Sequence, residues 1–542
     1  MMKELYSAYI LDKIPVILSL QDRNDRSAHF GCFDRNYWHY RFIDFPSADM
    51  QCASLILALI YKKTGYPENP YQGKAYIRDC AIAGMRYWAK IVSPEGSCSE
   101  WYPNECSFVS TAFTSYAVSE ALLVLADEVA APDRATILAA LTKAGGFLAR
   151  NNELSVCNQQ AVAIAALYNL SLLTGGCDYS NAADKKFRML KGCQTPEGWF
   201  PEYGGMDVGY STMLLGFLAR YYEKSKNEEV IPVADKLIDY LKYCVHPDFT
   251  WGGMYGSRNT EYFLPCGFEI LSRRNRISSI LANTALSSLK THKTVWDERY
   301  LTNIGYDYLQ AFDAFHERDT GDLSLPFTGI VSRYCPESNL YFSSTPAFYT
   351  IIGASKGAVV RIFDKRSKIQ LLNDTGIICR LSNKTVASNQ FLDRSNEVNV
   401  RDRVITVKSS FYEVRRPTLQ PVTMIVLRTV QLISSWNAHL AALVRASLRR
   451  LLITGKKKVP ITAERKISIG DTGVTIEDEI RVRDTVTWLS VGGVFNLIAI
   501  PSSNYFKASD ADTGSLPYVA DADELKKLNS EKRLVITRTI RP

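Results

Sequence analysis

The 542-residue chain has no C-x-x-C pair, and none of its twelve cysteines falls after Cys379. A disulfide framework and a structural zinc cluster both need spacings that are missing here. The cysteines read mostly as buried free thiols of a reducing compartment. No G-x-x-x-x-G-K-[ST] and no G-x-G-x-x-G occurs, so no cradle for nucleotide phosphates or a dinucleotide is present. Histidine is scarce: His29, His39, His246, His292, His316 and His439 are all there are. No segment reaches about 18 uninterrupted apolar residues, the length a spanning helix needs. Asp12, Lys13 and Pro15 interrupt the first apolar run and remove a signal-peptide core as well. The expectation is a cytoplasmic chain with no integral membrane segment, unless the natural chain begins upstream of Met1. Net charge is only +8, and the basic residues are dispersed except around Arg445 to Lys458, which excludes a nucleic-acid stripe and leaves an acidic ligand open.

What is present is ordinary globular composition, 46% hydrophobic and 22% charged, with 30 Tyr and 8 Trp. The length predicts two or more domains, because a single core stops growing near roughly 250–300 residues. From about 48 to 315 apolar residues recur at three and four, as in ADMQCASLILALIYKKTG (48–65) and NQQAVAIAALYNLSLLTG (158–175); these are helices. From about 340 the texture alternates, as in ISIGDTGVTIEDEIRV (467–482), and predicts antiparallel strands. The division expected is an N-terminal arm (1–47), an incomplete (α/α) toroid of helical hairpins (48–335) and an antiparallel β-sandwich (336–542) with a helical insertion near 430–453. That insertion, LISSWNAHLAALVRASLRRLLITGKKK (432–458), puts Trp436, Leu440, Leu443, Leu448 and Leu451 on one face beside Arg445, Arg449 and Arg450. Such a helix suits an anionic membrane surface or packing across the sandwich.

Three loops echo one another: SPEGSCSEWYP (93–103), TPEGWFPEYGG (195–205) and HPDFTWGGMYG (246–256). Their starts lie 102 and 51 residues apart, which gives a unit of one hairpin with its loops, and such units bury their apolar faces by stacking. In a ring, equivalent loops share a rim next to the N-termini of inner helices, where anions are favoured. This would gather Glu100, Trp101, Tyr102, Trp199, Glu202, Tyr203, Trp251 and Tyr255 around one cleft. Aromatic faces beside carboxylates suit sugars. The same residues would also serve simply to pin helix ends together.

The pieces NNELSVCNQQA (151–161), GWFPEYGGMDVGYS (198–211) and YGSRNTEYF (255–263), with the β-rich tail, resemble the heparinase II/III-like polysaccharide lyases and the related uronate epimerases. The resemblance implies β-elimination at a uronic acid: a base removes the C5 proton and the bond at O4 breaks. It implies that Asn158 neutralises the substrate carboxylate, assisted by Gln159 or Arg258, as charge develops in the transition state. Tyr210 is the first candidate for proton transfer and Tyr203 the second, with Arg258 expected to lower the phenol's pKa. His246, the one histidine on the repeated loops, joins the catalytic set; Glu100, Trp101, Tyr102, Gln159, Trp199, Glu202, Tyr203, Trp251, Asn259 and Glu261 form the substrate-binding set. The chain departs from the family in placing Gln159, not histidine, after the asparagine, and in lacking the His-rich signature of the β domain. Other roles stay open: Asn158 as a helix cap, Tyr210 as core, and Arg258 paired with Glu261 or Asp207. The segment HFGCFDRNYWHYRFIDFPSADMQ (29–51) lines the cleft or plugs the ring.

The resulting expectation is a lyase acting on an acidic polysaccharide or oligosaccharide, with no cofactor and with a structural divalent metal left open. The rivals are a uronate C5-epimerase, an inverting glycosidase using Glu100, Glu202, Asp207 or Glu261, and a non-catalytic glycan-binding protein of polysaccharide assembly. QTPEGWF (194–200) has the style of a terpenoid-cyclase loop, yet no Asp-rich D-x-D-D motif accompanies it.

Overall fold

The computed structural model describes residues 2–292, 296–318, 324–415, 420–434, 438–449, 455–493, 495, 497 and 517–542. Helices α1 (Glu4–Leu11), α2 (Ile14–Leu20) and α3 (Arg35–Trp38) come first. Then come α4 (Ala53–Lys62), α5 (Ala75–Ile91), α6 (Phe108–Leu125), α7 (Ala131–Arg150), α8 (Cys157–Thr174) and α9 (Cys177–Lys191). They are followed by α10 (Val208–Ser225), α11 (Val230–Leu241), α12 (Cys266–Leu271), α13 (Arg276–Thr291), α14 (Glu298–Ile304) and α15 (Tyr306–Ala314). Helix α1 packs on the later helices α13 and α15. The even-numbered helices from α4 to α12 pack each on the next as an inner layer, and α15 joins α12 back to α4. Outside them, α5 and α7 pack together, α9 covers α8, and α11 covers α10. The layer shows in the composition. Inner α8 buries nearly every residue from Cys157 to Ser171 because neighbours surround it, whereas outer α11 buries one face and is amphipathic. Helix α6, with its Ala126–Glu128 extension, has the length and hydropathy of a membrane span, but 78% of that window is buried inside the ring. It is a core helix.

The three echoing loops share one backbone turn. The N–H of residue 93, 195 or 246 donates to the carbonyl four residues on, at 2.9, 3.0 and 3.0 Å. The residue three positions on donates back to the first carbonyl in each copy, at 3.0, 2.9 and 2.9 Å. That residue has positive φ: Gly96 at 90°, Gly198 at 102° and Phe249 at 66°. At Gly96 and Gly198 a Cβ would lie 2.1 and 2.4 Å from the carbonyl oxygens of Lys143 and Lys236. Glycine there lets the turn touch the neighbouring outer helix.

The β region has two antiparallel sheets among the described residues. One is ordered β1 (Val331–Cys335), β2 (Leu340–Ser344), β3 (Phe348–Gly353), β4 (Val359–Asp364), β5 (Gln370–Asp374). The other uses β6 (Ile377–Leu381), β7 (Val386–Ser388), β8 (Glu397–Arg401), β9 (Val404–Glu413), β10 (Lys458–Ile469), β11 (Val474–Val482), β12 (Val486–Val491), β13 (Tyr518–Val519) and β14 (Arg533–Ile540). Its order is β13-β12-β6-β7-β9-β10-β11-β14, with β8 against β9. Strict alternation of burial along β10 and β11 turns Ile467, Ile469, Val474 and Ile476 towards Tyr341, Ile352, Val360 and Ile362 of the first sheet, as a sandwich requires. A buried ionic cluster bolts the sheets together: Arg465 reaches Asp374 at 3.0 Å and Asp478 at 2.6 Å, and Arg538 joins both acids.

Between β9 and β10 the chain leaves the sandwich as a helical hairpin, α16 (Pro421–Ser434) and α17 (Ala438–Arg449). The sequence predicts one helix over 432–458. Instead α16 begins at Pro421, which is preorganised for a first helical position, and β10 has started by Lys458. Trp436, Arg450 and Leu451 lie outside the described residues. A last helix, α18 (Ala522–Glu531), opens with an Asp521–Glu524 capping box.

Ring and sandwich share one core, because Phe342, Tyr349, Ile351 and Phe363 pack into the cluster formed by the ring helices. Polar bonds fix the seat. Glu197 accepts from the backbone N–H of Glu337 and Ser338 at 2.7 and 3.1 Å, and Lys356 donates to the Gly256 carbonyl at 3.0 Å.

Candidate active site

A cleft of 760 Å³ opens between the ring and the hairpin α16–α17. Its floor comes from the ring: Glu100, Trp101 and Tyr102 from the first repeated loop, Asn158 and Gln159 from the start of α8, Tyr203 and Tyr210 from around the start of α10, and Arg258. Met424, Leu427, Arg428, Gln431, Arg445 and Leu448 of the hairpin roof it over. Two bonds tie the roof down: Arg428 to Asp44 at 2.9 Å, and Arg445 to the Cys106 carbonyl at 2.7 Å.

The fold fixes the floor by helix-end chemistry. Glu202 is fully buried and accepts from the Asn158 backbone N–H at 2.8 Å and from its Nδ2 at 2.6 Å. It therefore caps α8 from another loop and orients the Asn158 amide. An amide carries two N–H donors, so the second is left for the cleft. Burial pushes the Glu202 carboxyl well above the usual carboxylate range, against the pull of the two Asn158 donors. Asp207 caps α10 through Tyr210 N–H at 3.3 Å and also accepts from Arg258 N–H at 2.9 Å and from the Thr260 hydroxyl. One carboxylate thus positions both Tyr210 and Arg258. The Arg258 guanidinium lies 4.5 Å from the centre of the Tyr203 ring. Among the described residues it meets no carboxylate, since Asp207 takes the backbone N–H and Glu261 pairs with Arg361.

Burial also decides protonation. It holds the Tyr210 phenol well above the usual tyrosine value; Tyr300, Tyr262 and Tyr203 add to this and Arg258 opposes it. The expected lowering by Arg258 is present in sign and outweighed. Glu100 is pushed up to about 8 by burial and by Asp49, although Arg299 donates to it at 2.9 Å. Glu105, which accepts from the N–H of Glu100 and Trp101 at 3.0 and 2.7 Å, is raised by burial too. Beside these two raised acids, the wall presents four arginines against Asp49, Glu153 and Asp297. Trp101 is 67% exposed and carries Arg299 on its ring at 4.9 Å.

Seven other residues named from the sequence for the cleft, Tyr255 among them, lie outside this wall. His246 is fully buried, Nδ1 to Thr250 at 2.7 Å and Nε2 to Tyr255 at 3.0 Å, stacked on Phe363 of the sandwich at 4.6 Å. Trp251 is buried flat against Phe263, and Trp199 is buried with its N–H on Glu197 at 2.9 Å. Asn259 receives Lys356, and Glu261 receives Arg361. Glu202 sits behind Asn158. The physical reason is common to most of them: the second and third loops seat the sandwich, so the first loop lies along the cleft and the second reaches it only through Tyr203. No three His, Cys, Asp or Glu side chains gather as a metal site among the described residues.

No family model and no curated protein matches the chain. Solved structures do. The Streptomyces coelicolor A3 chondroitin AC lyase in complex with chondroitin sulphate superposes at a TM-score of 0.58 and 9% identity, over 90% of this chain and 68% of that one. The chain has a polysaccharide-lyase fold. A Paenibacillus xanthan lyase shares that fold at a TM-score of 0.54 and 10% identity, over 90% of this chain and 46% of that one; the chain spans under half its length. The likeness drawn from the sequence therefore stands at the level of this lyase fold, a helical toroid followed by a sandwich.

Sequence reasoning missed part of the wall that the lyase fold assembles. Asp49, Glu105, Arg299, Tyr300 and Asn303 line it, yet Arg299 and Tyr300 come from α14, where the chain reads as plain helix. Glu105 was within reach, two residues beyond the first repeated loop. The roof residues gave no signal, because nothing local tells which face of an inserted helix meets another domain.

Proposed function

We propose that the chain is a carbohydrate-active lyase that cleaves a uronic-acid-containing glycan by β-elimination. The observation that supports this is the convergence of an oriented amide, Asn158, a guanidinium without a carboxylate partner among the described residues, Arg258, and the phenol of Tyr210 on one cleft. Asn158 and Arg258 would hold the uronate carboxylate. As the C5 proton leaves, negative charge moves onto that carboxylate, and fixed donors in a partly dry site stabilise it more than they stabilise the ground state. The C4–O4 bond then breaks, C4=C5 forms, and O4 takes a proton. Tyr210, held as a neutral phenol, is suited to give that proton. Tyr203, beneath Arg258, is assigned the C5 proton; it must first shed its own, so turnover should rise with pH. Trp101 offers a face for a neighbouring sugar ring.

The test is a panel of uronate glycans assayed for an unsaturated, ultraviolet-absorbing product, together with solvent deuterium uptake into intact polymer. A C4-fluoro uronide separates the two tyrosines, because fluoride leaves without a proton: it should rescue Tyr210→Phe and not Tyr203→Phe. No absorbing product and no deuterium uptake on any acidic glycan sinks the proposal.

Glu100, held in acid form, favours a hydrolase as second reading. Glu100 and Asp49 accept from the same nitrogen of Arg299 at 2.9 and 2.5 Å, which sets these oxygens closer together than the roughly 6.5–9.5 Å of an inverting pair. A retaining enzyme would be left, recognised by a new reducing end without the absorbing product.

A further inference from the structure

From Val414 to Ala463 the chain contains no Asp or Glu and nine Lys or Arg. The stretch contributes +9 to a chain of net +8, so everything else nets −1. This stretch carries α16 and α17. Their cleft-facing side is accounted for by Met424, Leu427, Arg428, Gln431, Arg445 and Leu448. Their outer side is apolar as well: Val422, Ile425, Val426, Ile433 and Leu443 are 71, 67, 57, 56 and 65% exposed. A surface helix ordinarily turns polar residues to water, and a contiguous exposed apolar patch marks an interaction site. At the foot of the hairpin Lys456, Lys457 and Lys458 are exposed. Arg415 and Lys457 share a single carboxylate, Glu413, at 3.5 and 3.1 Å, so the base keeps positive charge.

We infer that the outer face of the α16–α17 hairpin docks on an anionic phospholipid bilayer, its apolar side chains entering the headgroup boundary and its lysines engaging lipid phosphates. Charge selects this occupant. A second copy in a two-fold contact would bring the exposed cationic foot, Arg415 and Lys456 to Lys458, towards itself, whereas a bilayer of acidic lipids complements it. Length excludes a span: α16 has 14 residues, about 21 Å of helix against a hydrocarbon core of roughly 30 Å. The hairpin lies on the surface, and the cleft it roofs opens beside the lipid.

The experiment is flotation of the full chain with vesicles of phosphatidylcholine alone and of equal parts phosphatidylcholine and phosphatidylglycerol. The expected result is at least about tenfold more protein on the anionic vesicles, falling with added salt as screening shortens the attraction. The pair Ile425→Glu and Leu443→Glu, both on the exposed face, should lose that binding about tenfold with an unchanged melting transition. Absence of vesicle binding overturns the inference, as does equal binding to neutral vesicles. A concentration-dependent dimer in lipid-free solution that the double variant abolishes would also overturn it, since the face would then belong to a second copy.

Discussion

Removing the Glu202 side chain should unseat the start of α8 and the amide it aims at the cleft. Its two oxygens accept from the Asn158 N–H at 2.8 Å and from Asn158 Nδ2 at 2.6 Å, and the residue is wholly inaccessible to solvent. Glu202→Ala leaves both donors buried and unpaired, at about 1–3 kcal/mol each, and opens a small void; the expected cost is about 3–5 kcal/mol. Glu202→Gln keeps one accepting oxygen but sets its own NH2 against the other donor, which leaves about 1–3 kcal/mol. For a domain of this size about 2–4 °C of melting temperature goes with each kcal/mol, so the melting transition should fall by roughly 6–20 °C in the alanine variant and by less in the glutamine one. Differential scanning calorimetry reads both. A Glu202→Ala protein within about 1 kcal/mol of wild type, or an alanine variant more stable than the glutamine one, would refute the argument that this carboxyl is the α8 cap.

On a uronate substrate, Asn158→Ala or Arg258→Met should lower kcat/KM about 10²–10³-fold while circular dichroism stays native. Glu100 ionises near 8 in the fold against 4.5 ordinarily; the folded state keeps a proton the unfolded one has released, so stability falls as pH rises between those values, by at most about 1.4 kcal/mol per unit. Glu100→Gln should flatten that slope in urea midpoints taken across the window, and unchanged slopes would count against it. Gly209→Ala sets a Cβ 2.7 Å from Thr260 Oγ1 and 2.8 Å from Tyr262; displacing the threonine that steadies Asp207 should cost about 1–3 kcal/mol and raise KM for an acidic glycan, measured by initial rates. Arg465→Ala leaves the buried Asp374 and Asp478 with Arg538 as their remaining shared cation and should cost up to about 3–5 kcal/mol, as read from denaturant midpoints.

The ring was legible because its inner helices are surrounded: a segment such as 158–171, apolar or small on nearly every side, has no other place in a globular chain. The repeated turn was legible too, as three similar loops with starts 102 and 51 residues apart. What the repeat did not encode is the direction of the side chains around it. In the shared turn Trp199 corresponds to Ser97, not to Trp101, so the tryptophans that look alike in sequence go opposite ways: one to solvent beside the cleft, one into the core. His246 looked like a rim histidine and became a joint, because only the sandwich, distant in sequence, supplies Phe363. The start of α16 was hidden by Val422, Ile425, Val426 and Val430, whose β-branching favours strand. The hairpin packing that overrides this preference is tertiary.

The triply used turn carries a consequence for how such a barrel of hairpins acquires a mouth. Equivalent turns give the rim a near-repeating edge, and an edge of that kind has no preferred place for a guest. Once two of the three turns serve as bearings for the β domain, the equivalence is broken and one sector alone stays open. Glu202 and Asp207 stand at that boundary, each reaching from the bearing side to steady a group on the open side. A change in how the bearing seats would therefore be felt at the mouth without any residue there being altered.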